Sequence, residues 1–257
     1  MVARVRLGVA GAAGIPFAAA AAVGTVAAQF WYVAHRPLPS FTDLDPDGVF
    51  GPEAAPEVRL VLLGDSTVTG PGLERSDDLW SRQVARRLAS DVRLRLRSVA
   101  VGGSRVRDLL VAQLAEAQQL RPDVAIVSVG ANDAMHGTRL RRFEGDLDAL
   151  VEAFGDAGTE VVLAGIGDLG NIPRLVHPLK ALATRRSRLF DRAHARVAER
   201  HDHVVKVPVA ELTDAQFRSR DVFCPDLFHP NGVGHTAWAD AAEPFVAGAL
   251  ARAMVRT

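Results

Sequence analysis

The chain alternates between two hydrophobic periods. The segments Val58–Leu63, Leu94–Val99, Val124–Val129, Val161–Ala164 and Val204–Val207 each predict a β-strand. The third and fourth are nearly unbroken, as parallel strands covered on both faces should be. Between the runs lie stretches that predict helices over Asp78–Ala89, Val106–Leu120, Arg141–Phe154 and Pro178–Arg200, with a last one near Gly234–Arg252. In the second of these, Leu109, Leu110, Ala112, Leu114 and Ala117 recur at helical spacing. Gly155 and Gly158 fall where a helix must stop before the fourth strand. Five strands alternating with helices predict a doubly wound, three-layer α/β/α domain whose five-stranded sheet is mainly parallel.

The amino-terminal part reads differently. Leu7 to Ala34 holds no charged residue, follows Arg4 and Arg6, and closes with Phe30-Trp31-Tyr32. That run exceeds the ~20 apolar residues a spanning helix needs. The aromatic trio suits a membrane interface, and the arginines favour a cytoplasmic amino end. Residues 1–34 are therefore expected to be a transmembrane anchor. A signal segment cleaved after residue 28 is the rival, with Val26-Ala27-Ala28 as the site. Either reading puts the rest outside the cytoplasmic membrane, anchored or secreted. Residues 35–57 mix Pro37, Pro39, Pro46, Pro52 and Pro56 with acidic residues, which predicts an extended, hydrated tether. The folded domain is expected over 58–257.

Composition narrows the partners. Thirty basic and thirty acidic residues cancel, so no nucleic-acid polyanion is indicated. The single cysteine, Cys224, excludes an internal disulfide and a cysteine-built zinc site. His201-Asp202-His203 lacks a third convergent ligand and reads as a solvated turn.

Four short motifs carry the chemistry, in order along the chain. Gly64-Asp65-Ser66-Thr67 directly follows the first strand, at the carboxyl edge where open α/β sheets place their sites. A serine hydroxyl is a weak nucleophile near neutral pH and needs a base, and the base needs an acid to orient it. His229 is the candidate base. Asp226, three residues earlier, can fold back in a tight turn to meet its other ring nitrogen. Gly103 follows the second strand and Asn132, within Gly130-Ala131-Asn132-Asp133, follows the third. With the Ser66 backbone N–H they would supply three oxyanion donors from three strand ends. Asp65 is expected to tie the turn through backbone hydrogen bonds and Asp133 to brace the Asn132 loop. Cys224 is read as an inert small residue, and His136 as a candidate for the substrate rim. The loop Gly165–His177 leaves the fourth strand at the same edge and is expected to wall part of the pocket.

With these four blocks in this order, the chain from residue 58 onward resembles the SGNH/GDSL hydrolases. Thr67 stands where that family's name has leucine, and Ser98-Val99-Ala100-Val101 lacks the asparagine often found before the second block. The turn is not Gly-x-Ser-x-Gly, which sets the chain apart from the α/β-hydrolase nucleophile elbow. The resemblance implies a flavodoxin-like sheet and a serine esterase acting on small acyl esters, of lipids or acylated glycans, without metal or organic cofactor. It also implies Ser66, His229 and Asp226 as the triad, and Ser66, Gly103 and Asn132 as the oxyanion donors. The same residues would serve an O-acyltransferase acting on a sugar or lipid hydroxyl, and the fold alone would serve a non-catalytic envelope binding module.

Overall fold

The computed structural model describes residues 14–35 and 41–256. In chain order its principal elements are helix α1 (Gly14–His35), strand β1 (Gly48–Phe50), β2 (Glu57–Gly64), α2 (Ser66–Thr69), α3 (Trp80–Leu88) and β3 (Arg93–Ser98). A composite helix follows, made of α4 (Val106–Asp108), a π-helical turn (Leu109–Gln113) and α5 (Leu114–Gln119). Then come β4 (Val124–Ser128), α6 (Ala131–Met135), α7 (Leu140–Gly155), β5 (Glu160–Ala164), α8 (Leu179–Ala198), β6 (Val204–Val207), α9 (Val209–Phe217) and α10 (Gly232–Arg256).

The strands form one sheet in the order β1-β3-β2-β4-β5-β6. The five expected strands pair in parallel, and β1 adds an antiparallel edge on β3. Side chains alternate along the strands, so β2, β4 and β5 each feed two apolar layers. On one face Val61, Leu63, Val127 and Leu163 pack with Phe143, Leu147 and Phe154 of α7 and Phe190 of α8. On the other, Leu60, Leu62, Ile126 and Val162 pack with Trp80 and Val84 of α3 and Ala242 and Val246 of α10.

Three expectations change. The segment 35–57, read as a tether, is packed where it is described. Leu44 N donates to Thr69 O at 2.9 Å, Asp43 accepts from the Thr69 hydroxyl at 2.9 Å, and Asp47 accepts from Ser98 N at 2.7 Å. Its acidic groups thus serve as acceptors for the sheet end, and β1 covers the open edge that β3 would otherwise present. A helix not expected from the pattern, α9, follows β6 at once. The membrane-spanning helix read over Leu7–Ala34 is not supported. No helix among the described residues is long and apolar enough to cross a membrane, and residues 1–13 of the expected anchor lie outside the described residues. Within α1, Gln29 exchanges hydrogen bonds with His177 O and Leu179 N at the start of α8.

Candidate active site

The strand ends β2, β4 and β5 open onto one cavity. Asp65, Ser66, Asn132, Ile166, Asn171, Phe228 and His229 are among its walls. Ser66 is the first residue of α2, in a sharp turn off β2. Gly64 is forced there by close approach, since a Cβ on it would lie 2.4 Å from Ser128 O. Asp65 caps α2, accepting from Thr67 N and from the Thr67 hydroxyl, both at 2.9 Å. Thr67 also pairs with the Ser128 hydroxyl at 2.7 Å. The residue that departs from the family name therefore ties the Ser66 turn to β4. Trp80 Nε1 donates to Thr67 O at 2.9 Å and fastens the same turn to α3.

Asp226 and His229 lie on a tight loop between α9 and α10, and the expected fold-back is present. His229 Nδ1 is 2.7 Å from Asp226 Oδ2, while Asp226 Oδ1 accepts from Phe228 N at 2.9 Å and His229 N at 3.0 Å. Burial pushes the Asp226 carboxyl up, but the His229 hydrogen bond and the two backbone donors outweigh it and hold the group below its ordinary value. It is therefore an ionised partner for the ring. The loop is closed by Cys224 N to His229 O at 2.7 Å and by a bridge between Phe223 and Pro230. Arg174 braces it from the β5 loop, its backbone N–H donating to Leu227 O at 3.1 Å. Cys224 is buried, its thiol raised to about 11 chiefly by desolvation, which suits the inert role expected of it.

Ser66 and His229 face the same cavity. Among the described residues the Ser66 hydroxyl makes no hydrogen bond, and neither do the backbone N–H groups of Ser66 and Gly103. Gly103 has φ +81°, in the region that favours glycine, and a Cβ there would meet nothing within 4 Å. Asn132 lines the cavity too, but its amide is occupied: Nδ2 donates to Ser104 O at 3.1 Å and to Asp65 Oδ2 at 3.2 Å. Burial pushes the Asp65 carboxyl up to about 6, against the hydrogen bonds from Thr67 and Asn132 that favour its charge. Asp133 braces its loop as expected, accepting from Val106 N at 2.9 Å. His136 turns back onto Asn132 O at 2.9 Å, and its neighbour Met135 lines the cavity instead. His201 pairs with Asp148 and His203 with Val151 O, so the two rings serve different partners.

One residue that the sequence did not reveal joins these blocks. Gln113, 2% exposed, accepts from Gly64 N at 2.9 Å and donates to Gly64 O at 3.0 Å and to the Ser104 hydroxyl at 3.1 Å. It ends the π-helical turn, a bulge of a kind often found at functional sites. Gly64 opens the block that holds Ser66 and Ser104 follows Gly103, so one side chain ties together the ends of β2 and β3. Ser104 O in turn receives Asn132.

Residues 62–237 match the GDSL-like lipase/acylhydrolase family. The chain is 30% identical over 191 residues to a GDSL-like esterase of Mycobacterium tuberculosis, an alignment that covers 72% of this chain and 60% of that protein. Its fold is similar to the crystal structure of TesA, with TM-score 0.63 and 20% identity over 74% of this chain and 99% of that one. It is also similar to the esterase EstA from Pseudoalteromonas sp., solved inhibited by monoethylphosphonate, with TM-score 0.51 and 20% identity over 77% of this chain and 97% of that one. Because the match runs from β2 through the loop of the paired histidine and into the last helix, the chain belongs to the GDSL-like lipase/acylhydrolase family, an esterase/lipase-type hydrolase family.

Proposed function

We propose that this protein is a serine esterase that cleaves carboxylic acyl esters through an acyl-enzyme intermediate. The observation that carries the reading is the short Asp226–His229 pair set on the cavity that also holds the unengaged Ser66 hydroxyl. Ser66 Oγ attacks the ester carbonyl while His229 Nε2 takes its proton. Asp226, ionised, keeps the hydrogen on Nδ1 and stabilises the imidazolium. The Ser66 and Gly103 N–H groups receive the oxyanion, and Asn132 joins them by sharing one of its two amide hydrogens. Collapse expels the alcohol, protonated by His229, and a water deprotonated by the same ring releases the acid.

We also propose that the enzyme acts outside the cytoplasm, on the ground of the charge-free run after Arg4 and Arg6. One experiment checks both. Cells expressing the full chain are treated with a membrane-impermeant biotinyl phosphonate, beside the purified protein. A Ser66 adduct by mass spectrometry is expected in both samples, and none with Ser66→Ala. No adduct on the folded purified protein overturns the esterase, whereas an adduct only after cell lysis overturns the location.

Gln113→Leu should act on chemistry rather than on substrate affinity. It removes the clamp on Gly64 and leaves the buried Gly64 N–H unpaired, at a cost of about 1–3 kcal/mol, while Gly64 O keeps its bond from Val101 N. Because a small misplacement of reacting groups can cost on the order of 100-fold, kcat is expected to fall by about 10–100-fold with KM little changed. Steady-state kinetics normalised to phosphonate-titrated sites would show this, and a rise in KM at constant kcat would contradict it.

A further inference from the structure

The cavity beneath Ser66 continues past the reacting groups. Its apolar walls include Leu169, Ile172, Val209, Phe217 and Trp238, around a space of about 120 Å³. A second groove of about 830 Å³ lies against it, walled by Arg188, Arg192, Arg218 and Glu211 among others. Ile166, Gly167, Asp168, Asn171, Ala210 and Asp214 line both spaces, whereas Ser66 and His229 line only the first.

Resting on the reading of Ser66 as nucleophile, we propose that the Asn171–Asp214 pair is the partition that ends the acyl pocket and restricts the enzyme to short acyl chains. Asn171 closes the 3-10 turn Leu169–Asn171 after β5, and Asp214 lies on α9. Asn171 Nδ2 donates to Asp214 Oδ1 at 3.1 Å, so the two elements that flank the gap are joined by side chains. Arg218, one helical turn beyond, holds the other carboxylate oxygen at 2.6 Å. The Asn171 hydrogen bond first, and Arg218 after it, keep the Asp214 carboxyl below its ordinary value despite some desolvation. A methyl end pushed against this ionised group would strip its water and return no hydrogen bond. The apolar space is itself small, below the ~150 Å³ of a cavity that admits benzene. A slot of that size with a charged stop suits the first few carbons of an acyl chain.

The test compares wild type with Asn171→Ala, Asp214→Ala and Asp214→Asn. One arm measures kcat/KM on p-nitrophenyl acetate, butanoate, octanoate and laurate. The other measures binding of butanoic, octanoic and dodecanoic acids through the fluorescence of Trp80 and Trp238, which line the cavity and report without turnover. Wild type is expected to favour acetate and butanoate. Each alanine variant should raise the octanoate-to-butanoate ratio at least tenfold in both arms, since each newly buried methylene is worth about fourfold. Asp214→Asn keeps an oxygen for Asn171 but loses the charge, so it should shift the ratio less than either alanine variant. Ratios that stay put in both alanine variants overturn the partition, as does an Asp214→Asn shift as large as that of Asp214→Ala. A wild type without esterase turnover whose binding arm still shows the shift would overturn the Ser66 reading and leave the partition standing.

Discussion

Ser66→Ala is expected to lower kcat/KM for a p-nitrophenyl ester by about 10⁴–10⁶-fold, and His229→Ala by as much, because the hydroxyl and its base act as one unit. For the same reason the double substitution should cost hardly more than either alone. Asp226→Asn is the more discriminating variant. Asp226 Oδ1 already serves two backbone donors, and an amide can keep that oxygen in place. The second oxygen, 2.7 Å from His229 Nδ1, becomes an NH₂ group. Donating to Nδ1, it moves the ring hydrogen to Nε2, where it blocks the transfer from Ser66. A loss on the order of 10⁴ with little change in thermal stability is therefore expected. Initial rates and thermal melts on the four variants check this. A Ser66→Ala enzyme that keeps a tenth of its activity would remove the nucleophile from the mechanism.

What could be read from the sequence follows from which physical signals are local. Two of the five parallel strands were legible because a strand buried on both faces is a continuous apolar run, and Val124–Ser128 and Glu160–Ala164 are buried at every position. Strand β3, by contrast, alternates leucine with arginine and is buried only at every second position along most of its length. Ser66 and Asn132 were legible because their motifs sit just behind the apolar strands β2 and β4, whereas Asp226 and His229 were read from their own spacing. Strand β1 was not, since its pairing belongs to the open edge of β3 rather than to Gly48-Val49-Phe50. The surrounding prolines and acids read as solvated, although Asp43 and Asp47 are acceptors for Thr69 and Ser98. Gln113 was hidden by its type. A glutamine in a helix reads as surface, and no local signal announces the π-helical turn that carries it beside Gly64. Asn132 was found, but the competing acceptors Ser104 O and Asp65 come from two other blocks and could be seen only in three dimensions. In the charge-free amino-terminal run the legible signals are length and absence of charge, but most of it is alanine and glycine, which are weakly apolar, and no helix among the described residues is apolar enough to cross a membrane.

Replacing His235 should change how stability responds to acid. The ring lies on α10, 1% exposed, with Nδ1 3.3 Å from Trp80 N. Desolvation lowers its pKa to about 3, with His229 adding to the drop and Asp78 opposing it. The unfolded chain binds this proton below about 6.5 and the native protein only below about 3, so stability is lost as pH falls through that window. One proton is worth about 1.4 kcal/mol per pH unit, which makes the whole loss on the order of 5 kcal/mol. Asp65 works in the other direction. Its native pKa of about 6 lies above the ordinary 3.8, so the native state takes up a proton first and gains stability as pH falls from about 6 to 4. In the wild type the two contributions largely cancel between pH 6 and 4. His235→Asn keeps an acceptor for Trp80 N but cannot be protonated, so the Asp65 contribution should stand exposed. Urea unfolding at pH 7, 6, 5 and 4 is expected to show the variant gaining stability relative to wild type by about 1.4 kcal/mol per unit over that range. Some loss at pH 7 is expected from packing against Trp238, whose ring centroid lies 5.2 Å away. That offset shifts the whole curve without changing its slope. Parallel pH profiles for the two proteins would mean that His235 is charged in the fold at neutral pH or is never protonated on unfolding, and either would contradict its burial as a neutral ring.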